Sequence, residues 1–203
     1  DQSTLDPHFA YDTGSVEVIF NVLEGLIKYD GSKIDEFKPL LSTKVPSKDN
    51  GLISEDGTEY TFVIREGVKF SNGNKLTPED VKYSAMRGMV TSRTGGPMGM
   101  LLEPLFGVKT LDQLTEKVVG VKDAKKLTPE QSRKVYNALD KKVTIDGNKV
   151  TYHLNSPYPP FLNIMTHGNY PSMVIDKEWS IEQGCWPDDP EAIAKYHDPQ
   201  KKE

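Results

Sequence analysis

The stretch that decides the fold is Glu55-Asp56-Gly57-Thr58-Glu59-Tyr60-Thr61-Phe62-Val63-Ile64-Arg65-Glu66-Gly67-Val68-Lys69-Phe70-Ser71-Asn72-Gly73, followed closely by Leu76-Thr77-Pro78-Glu79-Asp80-Val81. Asp56-Gly57 is a hairpin turn signal. Tyr60, Phe62 and Ile64 then alternate with Thr61, Val63 and Arg65, the period of a half-buried strand. Val68 and Phe70 continue the alternation, and Asn72-Gly73 closes it. Thr77 stands as an N-cap hydroxyl, Pro78 at the first helical position and Asp80 three residues after the cap. Leu76 and Val81 flank the cap as a hydrophobic staple. This predicts a helix to about Met89, with Val81, Ala85 and Met89 on one side.

Working outward, residues 37–54 read as strand and turn. Residues 143–154 read as a second hairpin, with Val143 and Ile145 facing Val150, Tyr152 and Leu154 across a tight turn. Thr128-Pro129-Glu130-Gln131 repeats the capping signal and predicts a helix to about Leu139; it is reuse of a cap, not an internal repeat. Leu111 and Leu114 suggest a short helix, and residues 190–196 another. Gly95-Gly96-Pro97-Met98-Gly99-Met100 reads as a flexible loop leading into residues 101–104. Residues 172–176 read as a strand. Upstream, residues 1–14 read as loop. A helix follows, with Val16, Ile19, Phe20, Leu23 and Ile27 on its apolar face, Glu24 inside it and Gly25 weakening its end. The fold class is mixed α/β (α+β): a small antiparallel sheet with helices packed on it.

Composition narrows the function. The 203 residues suit one large or two small domains; 36% are hydrophobic and 27% charged, with a net charge of −5. No apolar run reaches the roughly 18 residues a membrane span needs. The mild acidity argues against nucleic acid as a partner. The Lys pairs at 125–126, 141–142 and 201–202 read as solvated surface. The single Cys185 makes no internal disulfide and reads as a buried small hydrophobe. No signal-peptide pattern opens the chain.

Catalytic motifs are missing. There is no Gly-x-Ser-x-Gly elbow and no phosphate loop. His8, His153, His167 and His197 stand at no metal-ligand spacing. His153 and His197 read as surface residues, and His8 as a cap for its own turn. His167, before Gly168, sits where backbone and imidazole could both reach a ligand, though from the residues alone a structural role is the stronger reading. Asp30, Asp56 and Asp146 read as turn formers. No catalytic residue, metal site or cofactor is assigned.

The ordered blocks Thr4-Leu5-Asp6-Pro7-His8, Val22-Leu23-Glu24-Gly25-Leu26, Lys38-Pro39-Leu40-Leu41, residues 55–73, Leu76–Val81 and Ser156-Pro157-Tyr158-Pro159-Pro160-Phe161-Leu162 closely resemble bacterial family 5 extracellular solute-binding proteins, the receptors of ABC importers for peptides or nickel. Residues 91–141 match only loosely. The resemblance implies a type II periplasmic-binding-protein-like fold. Residues 1–30 then form the first segment of main lobe I, 31–165 the small accessory domain, and 166–203 the return into lobe I. The family has a strand before the Leu-Asp-Pro block and a second lobe beyond residue 203, which implies a fragment.

The resemblance further implies a receptor and not an enzyme. It captures oligopeptides or dipeptides for a membrane permease, as a monomer outside the cytoplasm, with a lipid anchor as one option. An oligosaccharide or a nickel, metal-chelate or haem ligand on the same scaffold is an alternative, and a hydrolase is an alternative of another class. A saccharide receptor would expose more tryptophan than Trp179 and Trp186. The implied ligand contacts are Tyr11, Asp12, Thr13, Ser15, His167, Gly168 and Asn169, with Met98 and Met100 as loosely corresponding candidates. For Tyr11 the other reading is a packing aromatic, for Asp12 a turn former, and for Gly168 and Asn169 simple turn residues. The fragment by itself is expected to bind no peptide tightly.

Overall fold

The computed structural model describes residues 4–199. The opening residues 1–3 and the Lys pair at 201–202 lie outside the described residues. The described chain is mixed α and β, with two small antiparallel sheets and helices around them.

β3 (Glu59–Val63), β4 (Val143–Asp146) and β5 (Lys149–His153) form a three-stranded sheet in the order β3-β5-β4. Tyr60 pairs with Tyr152 and Phe62 with Val150 on one ladder, and Val143 with Tyr152 and Ile145 with Val150 on the other. Alternation puts Tyr60, Phe62, Val150, Tyr152 and Val143 into the core. The opposite face joins Thr61 and Thr151 through their hydroxyls at 2.8 Å. Gly147 adopts φ 58 in the β4–β5 turn, a conformation that favours glycine. The Asp56-Gly57 turn forms, but its upstream arm contributes only the bridge Ile53–Tyr60.

α2 (Pro78–Thr91) starts where the cap signal places it. The Asp80 carboxylate accepts from the Thr77 amide and hydroxyl, each at 2.8 Å. Its burial is broader than the one-sided expectation, because Val81 through Thr91 are all buried but Lys82. The sheet covers one side of α2. Residues 173–197 cover another, where Tyr83 stacks on Trp186 and donates to its carbonyl at 2.7 Å. α5 (Pro129–Asp140) opens with the second capping box, Thr128 and Gln131. α4 (Leu111–Val119) and α8 (Ile193–Tyr196) also form.

Several expectations are corrected. α1 (Thr13–Val22) stops at Leu23, four residues short of Ile27. Gly25 passes so close to residues 167 and 172 that an added Cβ would sit 2.9 Å from Ser172 Oγ and 3.1 Å from His167 Cα. The chain therefore leaves the helix there and enters β1 (Ile27–Tyr29), which pairs with β2 (Phe37–Pro39). Glu24 is an exposed residue bridged through its backbone to Val174, not a helical one. Phe20 points outward, 47% exposed. Residues 99–106 are α3 and not loop, with Pro104 inside the helix. Residues 172–176 contribute a single bridge and follow a 3-10 turn at 170–172. α6 (Phe161–Ile164) and α7 (Lys177–Glu182) complete the set. Cys185 is half-buried, its Sγ 3.6 Å from Arg87 Nη2.

His197 is buried rather than solvated, with Nδ1 3.2 Å from the Val90 carbonyl. His153 is partly exposed, held between Thr144 at 2.7 Å and Glu59 at 3.1 Å.

Candidate functional site

The site grows from a turn locked onto α2. Phe9 and Ala10 amides both donate to the Asp6 carbonyl, and the His8 amide donates to Asp6 Oδ1 at 2.9 Å. Arg87 clamps the Asp6 carboxylate with two bonds, at 3.0 and 2.5 Å. Such a planar fork is the strong form of an ion pair. The same guanidinium donates to His8 Nδ1 at 2.7 Å. Arginine only donates, so Nδ1 must be the accepting nitrogen and Nε2 carries the proton. His8 is therefore a fully buried neutral ring and not a cap for its own turn. Burial pushes its pKa down to about 3, the Arg87 charge pushes the same way, and Asp6 opposes them. Burial also works against the Asp6 carboxylate, but the Arg87 bonds and charge override it and hold the pKa low.

Beyond this lock the chain surfaces. Tyr11 is 58% exposed, Asp12 half-buried and Thr13 exposed. Asp12 caps α1 by accepting from the Ser15 amide at 2.9 Å. Ser15 is fully buried and its hydroxyl accepts from the Thr4 amide at 3.3 Å. It braces the turn and does not face solvent, which corrects its reading as a ligand contact.

The second segment lies alongside. The His167 amide donates to the Ile27 carbonyl at 2.6 Å, and Ile27 bridges Thr166 in parallel. The Asn169 side chain is spent internally, on the Asn163 carbonyl at 2.6 Å and Thr166 Oγ1 at 2.8 Å. Gly168 has φ 99, and an added Cβ would meet the Phe20 ring at 2.6 Å. The Phe20 ring lies on His167 with centroids 4.4 Å apart, and Tyr11 meets Tyr170 at 5.8 Å. The structure thus brings Tyr11 and Asp12 to the 167–170 segment. Phe20, Glu24 and Tyr170 join the group without having been singled out as contacts.

Beside His167 opens a recess of about 430 Å³, lined by Phe20, Val22, Glu24, Lys28, Leu40 and His167 among others. Burial lowers the His167 pKa, with Glu24 and the Phe20 backbone opposing and Lys28 assisting. Met98 lies elsewhere: it is fully buried, and an added Cβ on Gly88 would fall 2.4 Å from its methyl carbon. Met98 is core, which corrects its reading as a candidate contact, and Met100 is half-buried on α3. Trp186 is fully buried and Trp179 is 50% exposed. Among the described residues no cluster of three His, Cys, Asp or Glu side chains is placed to hold a metal. No helix among them is long and apolar enough to cross a membrane.

The model of bacterial extracellular solute-binding proteins, family 5, matches residues 36–198. The chain belongs to that family. A dipeptide-binding protein of Lactococcus lactis is 31% identical over 119 residues, covering 55% of this chain and 18% of the relative. The periplasmic murein peptide-binding protein MppA of Escherichia coli is 24% identical over 182 residues, covering 90% and 28%. In fold, the family 5 chain matches the substrate-binding domain of an oligopeptide ABC transporter from Bacillus anthracis. The TM-score is 0.63 and the identity 22%, covering 89% of this chain and 29% of that one. Listeria monocytogenes OppA bound to peptide matches at 0.61 with 20% identity, covering 89% and 30%. The family 5 chain therefore has the type II periplasmic-binding-protein architecture and spans less than a third of these relatives.

Proposed function

We propose that this chain is part of the substrate-binding receptor of an ABC importer that captures oligopeptides or dipeptides and delivers them to a membrane permease. The observation that carries this is the family match over residues 36–198, and the named relatives bind peptides. In this reading the receptor works outside the cytoplasm, as a monomer, held at the membrane by a lipid or free in the periplasm. Residues 31–165 are its small accessory domain. Residues 1–30 and 166–203 are strips of a main lobe, and the rest of the receptor supplies the opposing wall of the cleft.

The peptide contacts come from Tyr11, Asp12 and Thr13 on one strip and His167 on the other. Tyr11 offers an aromatic face, and the Asp12 carboxylate offers acceptors toward a peptide amine. Gly168 and Asn169 shape the wall instead of reaching into it, since one is covered by Phe20 and the other is spent on internal bonds. Binding between two lobes implies closure about a hinge, so this portion by itself binds no peptide tightly. Mass spectrometry of ligand co-purified with the full receptor tests the reading: mixed short peptides are expected, and recovery of sugars or a metal chelate overturns it.

A further inference from the structure

Phe20 is the anomaly of the first helix. It belongs to the apolar pattern of α1, yet its ring leaves the core and stays 47% exposed. Half of its surface thus forgoes burial, while the other half is in contact with the 167–168 segment. The ring rests on the imidazole of His167, with centroids 4.4 Å apart and planes inclined by 42°. It also lies against the backbone of Gly168, where an added Cβ would come within 2.6 and 2.8 Å of two ring carbons. Gly168 stands at φ 99, a conformation few other residues adopt. Helix and loop therefore interlock: the missing side chain at 168 makes the slot, and Phe20 fills it.

The interlock acts on His167. Its Nδ1 is enclosed without a well-aligned hydrogen-bond partner. The Phe20 backbone nevertheless acts on the imidazole as a hydrogen-bonding group and favours its charged form. The Phe20 ring face adds a second contact that restricts the ring rotation. The same ring lines the recess of about 430 Å³ beside Glu24 and Lys28.

We propose that Phe20 is a positioning residue: with Gly168 it holds the His167 imidazole in one orientation against this recess, so that a ligand meets a preset ring and not a free rotor. Presetting a side chain spares the ordering cost that binding would otherwise carry. The inference rests on the peptide-site reading for its ligand and on geometry alone for the positioning. The charged groups around the ring are Glu24, just past α1 and bridged to Val174, and Lys28 on β1.

The test is histidine-selective NMR on the 203-residue chain without ligand, comparing wild type with Phe20→Ala, Phe20→Trp and Gly168→Ala. In Phe20→Ala the His167 ring signals lose their aromatic-ring shift, and the titration midpoint moves up toward that of a solvated histidine. Phe20→Trp, which keeps an aromatic face, retains a low midpoint. Gly168→Ala displaces the ring and moves His167 in the same direction as Phe20→Ala. His153 serves as the control and stays unchanged in all three. Unchanged His167 signals and midpoint in Phe20→Ala would overturn the positioning role. A separate arm measures trialanine binding to the full receptor with His167→Ala. Unaltered affinity there defeats the ligand reading of His167, while the ligand-free spectra still decide the positioning.

Discussion

The sheet-and-α2 body and the seam between residues 6–28 and 166–174 are built on opposite terms. The body buries its aromatic and aliphatic side chains in one continuous core running from Tyr60 and Phe62 through Met86 to Leu139 and Trp186. The seam gives Leu26, Ile27 and Val174 to that core, adds a small separate cluster of Ala10, Ile19 and Met173, and leaves Tyr11, Phe20 and Val22 exposed. The seam leans more than the body on polar contacts: the Asp6–Arg87–His8 lock and the backbone bonds of Gly25 and His167. A scaffold tolerates such unfilled apolar surface where something else is to be met.

The contrast can be broken first in the body. Phe62→Ala removes a fully buried ring and is expected to cost about 3–5 kcal/mol, read as the shift in urea midpoint. A change under about 1 kcal/mol would mean that the core is looser than described. In the seam, Arg87→Met strands the Asp6 carboxylate. Breaking a buried pair costs about 3–5 kcal/mol, and the 27% exposure of the Asp6 side chain places the expectation near the lower figure of about 3. Equal losses at both sites would erase the distinction between apolar and polar cohesion only if chymotrypsin cut both variants alike. Early cleavage after Phe9, Tyr11 or Phe20 is expected for Arg87→Met.

Acid sharpens the comparison. His8 has a folded pKa of about 3 against an ordinary 6.5. Its lowered pKa means that the unfolded chain takes up a proton that the folded chain refuses. Stability is therefore complete above about 6.5 and falls as the pH drops toward 3, by up to about 1.4 kcal/mol per unit. Asp6, also held low, adds loss in the same direction as the pH falls through its folded value. An NMR titration in which His8 protonates near pH 6 in the folded chain would contradict the lock. Smaller again is Thr77→Ala, which removes the capping hydroxyl of α2 and is expected to cost about 1 kcal/mol, or about 2–4 °C in Tm for a chain of this size.

What the sequence disclosed follows from the range of the forces involved. Capping boxes at Thr77 and Thr128 and the Gly147 turn are local chemistry, and each formed where the residues placed it. The pairing of Glu59 with His153 joins strands whose partners are 94 residues apart, and no local pattern specifies it. The early end of α1 needed knowledge that residues 167 and 172 would crowd Gly25. Met98 was misplaced because a Gly-Pro-rich run hides a buried anchor. Of the candidate contacts, Tyr11 and Asp12 do come beside the 167–170 segment. Ser15 turned inward because a hydroxyl satisfied by the Thr4 amide can be buried without penalty. Phe20 escaped notice because its spacing mimics a core position.

The seam is the proposed peptide-contact strip, and photo-crosslinking tests this most directly. A short peptide carrying a photoreactive residue is irradiated with the full receptor, and labelled residues are mapped by mass spectrometry. Labels within this portion are expected at Tyr11–Thr13 and at His167–Tyr170. Labels confined to the sheet body, residues 59–154, would contradict the account.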